Sequence, residues 1–193
     1  MNFIYEVENF LDKRTCEDII KRFEDDDRKI RGSTVSGVSS AIKVSTDLPI
    51  GLENFNSEWG DVNNKIINLI YTELDKYCKY MFKSGLIAKE TPETALGQFM
   101  IGLPQIQKTV KNGYYRWHND GDTNRLITYI LYLNDVEDGI GGTTDFKCGK
   151  SIQPRAGKLI FFPATWNYVH RGKKLEKGEK YIMTSFIVSD PQF

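Results

Sequence analysis

From about Ala95 to Val188 the sequence breaks into short apolar or alternating runs, spanning 95–101, 105–110, 114–120, 125–133, 143–146, 151–154, 158–162, 168–172 and 180–188. Pro104, Asn112-Gly113, Asp138-Gly139, Gly141-Gly142, Gly157, Pro163 and Gly178 punctuate them. Alternation at a period of two sorts side chains onto two faces, and Gly, Pro or Asn-Gly supplies the backbone angles of a tight turn. The pattern predicts an antiparallel double-sheet sandwich, with a jelly roll (double-stranded β-helix) as the best fit.

Two helices are expected before these strands. In the first, Thr15 and Asp18 form the pattern of a capping box, Glu17 and Asp18 sit where the helix dipole favours negative charge, and Ile19, Ile20 and Phe23 make an apolar stripe. The acidic run Glu24-Asp25-Asp26-Asp27 ends that helix as a solvated surface. The second helix runs from about Asp61 to Phe82, where Ile66, Ile70, Leu74, Tyr77, Cys78 and Met81 recur at spacings of three and four. A short strand is expected at 2–7. Residues 31–47, rich in Gly, Ser and Thr, read as a mobile loop, a lid or a weak hairpin. The class is α+β, mainly β, in one domain over 1–193, with helical support and a lid in 1–94 and a catalytic core in 95–193.

Composition narrows the functions available. Of 193 residues, 40% are hydrophobic and 27% charged, which suits a soluble globular chain, and the formal net charge is zero. No global basic field draws the chain to nucleic acid or an anionic membrane, and neither a membrane-crossing run nor a signal peptide is expected. The expectation is therefore a cytoplasmic protein. Cys16, Cys78 and Cys148 are odd in number and widely separated, which predicts free thiols. Nothing in the sequence speaks to oligomeric state.

The chemistry concentrates between Tyr114 and Lys180. The chain has two histidines, His118 and His170. On a strand over 114–120, side chains two apart share a face, so His118 and Asp120 point together. Two imidazoles and a carboxylate that leave adjacent positions free are the facial set that holds Fe(II) in non-haem oxygenases. Lys180 lies ten residues after His170 on the next expected strand. Trp117, Phe161, Phe162 and Trp166 stand near these residues, either as walls of a dry site or as ordinary core.

The order and spacing of the motifs resemble the 2-oxoglutarate- and Fe(II)-dependent dioxygenases, specifically the prolyl 4-hydroxylase-like branch with its short viral and bacterial members. Nearly the whole chain takes part. The resemblance runs from Val7-Glu8-Asn9-Phe10-Leu11 and Cys16-Glu17-Asp18-Ile19-Ile20 through Gln105-Ile106-Gln107 and Tyr115-Arg116-Trp117-His118-Asn119-Asp120. It continues in Arg125-Leu126-Ile127-Thr128, Gly141-Gly142-Thr143-Thr144, Pro154-Arg155-Ala156-Gly157, His170-Arg171-Gly172 and Lys180-Tyr181-Ile182.

What the resemblance implies is specific. His118, Asp120 and His170 would hold iron, Lys180 would bind the distal carboxylate of 2-oxoglutarate with help from Thr144, and Tyr115 and Arg125 would touch the substrate. Two positions depart from the family. Thr109 stands where a tyrosine usually reaches the same carboxylate, and Phe186 stands where tryptophan is common. The implied reaction consumes 2-oxoglutarate and O2, with ascorbate supporting activity, and hydroxylates a C–H bond with release of succinate and CO2. A prolyl residue of a peptide or protein is the expected target. A non-prolyl substrate, a non-catalytic jelly-roll binding module and a zinc hydrolase on the same ligands are the alternatives.

Overall fold

The computed structural model describes residues 3–34, 36–51, 56–85, 99–121 and 124–189. In chain order the elements are β1 (Tyr5–Val7), α1 (Lys13–Asp25), β2 (Ile30–Arg31), β3 (Lys43–Val44), β4 (Thr46–Leu48) and α2 (Asn56–Lys83). Then come β5 (Phe99–Ile101), β6 (Gln105–Val110), β7 (Tyr114–His118), β8 (Arg125–Tyr132), β9 (Thr144–Phe146), β10 (Ser151–Ile152), β11 (Leu159–Pro163), β12 (His170–Gly172) and β13 (Glu179–Ser189). The start of the first expected strand, at 95–98, lies outside the described residues.

The strands form two antiparallel sheets, as a jelly roll requires. The larger has the order β1-β11-β8-β13-β6-β4-β2, with β5 on β13, and the smaller has the order β10-β9-β12-β7-β3. Alternation decides what each face of the larger sheet does. Tyr129 and Leu131 of β8, Leu159 and Phe161 of β11, and Met183 of β13 join a core with Phe23 of α1 and Trp59, Ile66, Ile70 and Tyr77 of α2. The residues between them in sequence, Ile130, Tyr132, Ile160 and Phe162, turn the other way and pack with Phe146 and Ile152 of the smaller sheet. Each fully buried Leu, Ile or Phe contributes roughly 1.5–3 kcal/mol.

The first helix begins earlier than its sequence suggests. Asp12 is the cap, accepting from Thr15 N at 2.8 Å and from the Thr15 hydroxyl at 2.7 Å. Thr15 is thus a donor to the cap, and no acidic residue lies in the first turn. The acidic run is also more engaged than a solvated surface. Glu24 accepts from Lys108 Nζ at 2.9 Å and from the Tyr181 hydroxyl at 2.7 Å. Asp26 binds Arg28, which holds its carboxyl well below the usual range, and it also accepts from Trp59 Nε1. Asp25 and Asp27 are exposed, as expected.

Residues 30–48 are not a plain loop. β4 pairs with β6 in the larger sheet and β3 pairs with β7 in the smaller one, so this segment ties the two sheets together at one edge. A buried ion pair secures the crossing: Lys43 Nζ lies 2.6 Å from Asp47 Oδ2, and each side chain is 3% exposed. The Ser45 hydroxyl donates to the other Asp47 oxygen at 2.8 Å. Breaking such a pair leaves a buried charge and costs about 3–5 kcal/mol. Cys16, Cys78 and Cys148 are free thiols. Among the described residues no helix is long and apolar enough to cross a membrane.

Candidate active site

A cavity of about 330 Å³ opens between the two sheets. All eight residues singled out in the sequence line it: Thr109, Tyr115, His118, Asp120, Arg125, Thr144, His170 and Lys180. The strand carrying His118 stops there, so Asp120 reaches the site from the connection beyond β7 rather than by strand alternation. Ligand atoms of His118, Asp120 and His170 all lie within 4.8 Å of one another.

The imidazoles are oriented from behind. His118 Nδ1 is 2.7 Å from the Arg116 carbonyl oxygen, and His170 Nδ1 is 3.1 Å from that of Tyr168. A carbonyl only accepts, so each Nδ1 carries the proton and each Nε2 keeps its lone pair. Those Nε2 atoms stand 3.6 and 3.5 Å from the two Asp120 oxygens. The Thr128 hydroxyl donates to Asp120 Oδ2 at 2.8 Å and fixes the carboxylate. Burial, then the neighbouring His170, pushes the His118 imidazole down to about 4 against the pull of Asp120. At neutral pH His118 is therefore a neutral imidazole whose Nε2 lone pair is available.

A bulge completes this wall. Across β7 and β12, His118 pairs with His170 but Tyr115 pairs with Gly172, so β7 uses one residue more than its partner. The extra residue breaks the alternation and brings Tyr115 and His118 to one face. Their rings stack with centroids 3.6 Å apart and planes inclined by 16°. Phe162 meets His170 edge-on at 4.8 Å.

Lys180, which also lines the cavity, is 5% exposed. Its ammonium donates to the Gly142 carbonyl at 3.0 Å, and burial holds its pKa down to about 8 while Asp145 opposes that shift. A buried ammonium with one neutral acceptor is poorly compensated, and a carboxylate placed there would relieve it. Thr144 is held by the Tyr132 hydroxyl, which donates to its Oγ1 at 2.7 Å. Thr109 lies directly opposite Lys180 on β6. The arrangement fits the group the sequence implies: two imidazoles and a carboxylate for Fe(II), and a buried cation for a dicarboxylate.

Of the two roles open to the aromatic residues, core packing is the one that Phe161 and Phe162 take, and none of the four lines the cavity. Trp166 is 80% exposed and Trp117 is 37% exposed, while Phe161 faces the helices and Phe162 backs His170. Ile130, Ile182 and Phe186 line the cavity instead. Arg125 lies over the Phe186 ring, 3.8 Å from its centroid. Sequence reasoning also missed Lys43, Gln105, Gln107 and Thr128 as lining, and Tyr132 as the support of Thr144. Polar residues at every second position of apolar strands, such as Thr128 in β8 and Gln105 and Gln107 in β6, were the available signal.

Comparison with known proteins places this geometry. Residues 104–188 match the model of the 2OG-Fe(II) oxygenase superfamily. The chain is 30% identical over 91 residues to 2-oxoglutarate and iron-dependent oxygenase domain-containing protein 3 of Xenopus tropicalis, and 32% identical over 90 residues to the human protein of that name. These stretches are 44% of this chain but 29% and 28% of those relatives, so the chain matches less than a third of their length. Among solved structures, a viral collagen prolyl hydroxylase from Paramecium bursaria Chlorella virus-1 aligns with a TM-score of 0.64 at 21% identity, over 98% of this chain and 97% of that one. A Trichoplax adhaerens prolyl hydroxylase bound to a hypoxia inducible factor peptide aligns at 0.71 and 17%, over 98% and 84%. A Pseudomonas putida prolyl-4-hydroxylase aligns at 0.65 and 17%, over 97% and 94%. Residues 104–188 thus resemble a 2OG-Fe(II) oxygenase domain in sequence and carry a His-Asp-His convergence, and the chain shares the jelly-roll fold of viral and bacterial prolyl hydroxylases.

Proposed function

We propose that residues 1–193 act as one 2-oxoglutarate- and Fe(II)-dependent dioxygenase domain that hydroxylates a prolyl residue of a peptide or protein. In it, α1 and α2 back the larger sheet and β1 to β4 extend the edges of the two sheets that carry the site. The observation that carries the reading is the convergence of His118, Asp120 and His170 in a cavity that is also lined by the buried Lys180. Fe(II), 2-oxoglutarate and O2 supply C–H hydroxylation, with succinate and CO2 as products and ascorbate as a support.

This chain's residues do the rest. His118 Nε2, His170 Nε2 and one Asp120 oxygen would hold the metal. Lys180 would anchor the distal carboxylate, with the hydroxyls of Thr144 and Thr109 in the same lining to assist it. Ile130 and Ile182 add apolar lining that excludes water. Tyr115, stacked on His118 in the smaller sheet, and Arg125, over Phe186 in the larger, would touch the substrate from the two sides of the cavity. The fold similarity to viral, animal and bacterial prolyl hydroxylases supports the choice of target.

The test is succinate formation by purified protein with Fe(II), ascorbate, O2 and 2-oxoglutarate, with and without a proline-rich peptide. Peptide-stimulated turnover is expected. Turnover that ignores the peptide would remove the prolyl assignment and keep the oxygenase, whereas absent turnover with absent metal binding would remove both.

A further inference from the structure

The smaller sheet has a second recess, on strands that also carry the two histidines. On β12, His170 and Gly172 line the catalytic cavity, so Arg171 between them projects from the opposite face. There it borders a groove of about 420 Å³ with Arg116, Trp117, Lys173 and Lys174. No carboxylate side chain is in that lining. The chain as a whole has zero formal charge, so this grouping of cations is a local feature.

The charges there are largely uncommitted. Arg171 pairs with Asp145 at 2.9 Å, but among the described residues Arg116, Lys173 and Lys174 make no ion pair, and all three are exposed. Trp117 sits among them with Lys147 Nζ 4.3 Å and Arg171 Cζ 4.6 Å from its ring centroid. Cations already cover the indole, so its π surface is engaged and does not offer the open platform on which a nucleobase stacks. What remains to be satisfied is positive charge. Carboxylates on an extended segment complement it, and three of the groove's residues, Tyr114, Tyr115 and Gly172, line the catalytic cavity as well.

We propose that this groove docks an acidic segment of the protein substrate next to the residue presented to the catalytic cavity. The inference rests on the peptide-substrate reading above. It makes Arg116, Lys173 and Lys174 determinants of specificity through charge, outside the catalytic machinery.

The experiment compares a proline-containing peptide flanked by glutamates with the same peptide flanked by glutamines. Binding is read by anisotropy of the labelled peptides and by tryptophan fluorescence, and turnover is read separately as succinate. The glutamate peptide should bind roughly tenfold more tightly at low salt, with the advantage shrinking as salt screens it. Lys173→Glu combined with Lys174→Glu should abolish that advantage and leave peptide-independent 2-oxoglutarate turnover unchanged. Equal affinity for the two peptides, or a preference that survives the charge reversal, would overturn the proposal. So would tighter binding of a single-stranded oligonucleotide than of the glutamate peptide. Turnover of both peptides without a charge preference would defeat the docking groove alone. Charge-dependent binding with turnover of neither would defeat the prolyl reading and leave the groove as an acid-binding surface.

Discussion

The two faces of the larger sheet belong to the same strands and hold opposite contents. Toward the helices, Tyr129, Leu131, Phe161, Met183 and Ile187 are buried in a continuous apolar core. Toward the smaller sheet, the alternate positions of β8, β13 and β6 present Thr128, Thr184, Lys180, Gln107 and Thr109 to a cavity. One face stabilises the fold by excluding water. The other keeps polar groups in a half-enclosed space, where a buried amine such as Lys180 is costly until an anion meets it. Stability and chemistry are thus separated by the thickness of one sheet, which predicts that each can be damaged without the other.

The largest effect should come from the site. His170→Ala removes one donor of the set, and Fe(II) affinity is expected to fall by more than about 100-fold with loss of turnover, because even supporting groups around a metal are worth 10–100-fold. Thermal unfolding should change little. An anaerobic metal titration beside a melting curve checks both. Phe161→Ala should do the reverse, lowering stability by about 3–5 kcal/mol through the cavity it leaves while the folded protein binds metal normally. Denaturant titration would show it, and a matching loss of metal affinity would break the separation.

Lys180→Met should weaken 2-oxoglutarate binding on the order of 100-fold, as expected when one partner of a buried charge pair is removed. The same residue gives a pH signature. Its folded pKa is about 8 against an ordinary 10.5, so in the ligand-free protein the unfolded state binds more protons between those values. Stability from this group therefore rises with pH across that window, and its destabilising effect is complete below pH 8. A bound dicarboxylate favours the ammonium, so affinity for 2-oxoglutarate should fall as pH climbs above 8, and Lys180→Met should flatten that profile. The smallest effect is on the apolar face. The Tyr129 hydroxyl is buried without a hydrogen-bond partner among the described residues, and Tyr129→Phe should stabilise the protein by about 1 kcal/mol with no effect on turnover.

Much of this was legible before any coordinates. The strand at 105–110 has the bounds its alternation predicts, and the strands from Tyr114 to Ser189 agree with theirs to within a few residues. Local periodicity is enough for that, because burial on one face is a property of the segment itself. The aromatic residues were harder. Phe161 and Phe162 are adjacent and equally apolar, yet one fills the helix-backed core and the other supports His170. Composition does not say which face of a strand meets which partner. The helix cap was missed for a related reason: Asp12 and Thr15 are both good caps, and only the backbone path selected Asp12.

By itself, the sequence determined the antiparallel class and the two helices through periodicity and turn chemistry, and it singled out His118 and His170 through the scarcity of histidine, while the resemblance to the dioxygenases pointed to the other residues that converge. Tertiary structure alone decided how they converge. A bulge in β7 places Tyr115 on His118, the chain beyond that strand turns Asp120 inward, and two backbone carbonyls select the histidine tautomers. Tertiary structure also joined residues 30–48 to both sheets through a buried Lys43–Asp47 pair. Each of these depends on atoms far apart in the chain being held a few ångströms apart, and no local propensity encodes such a distance.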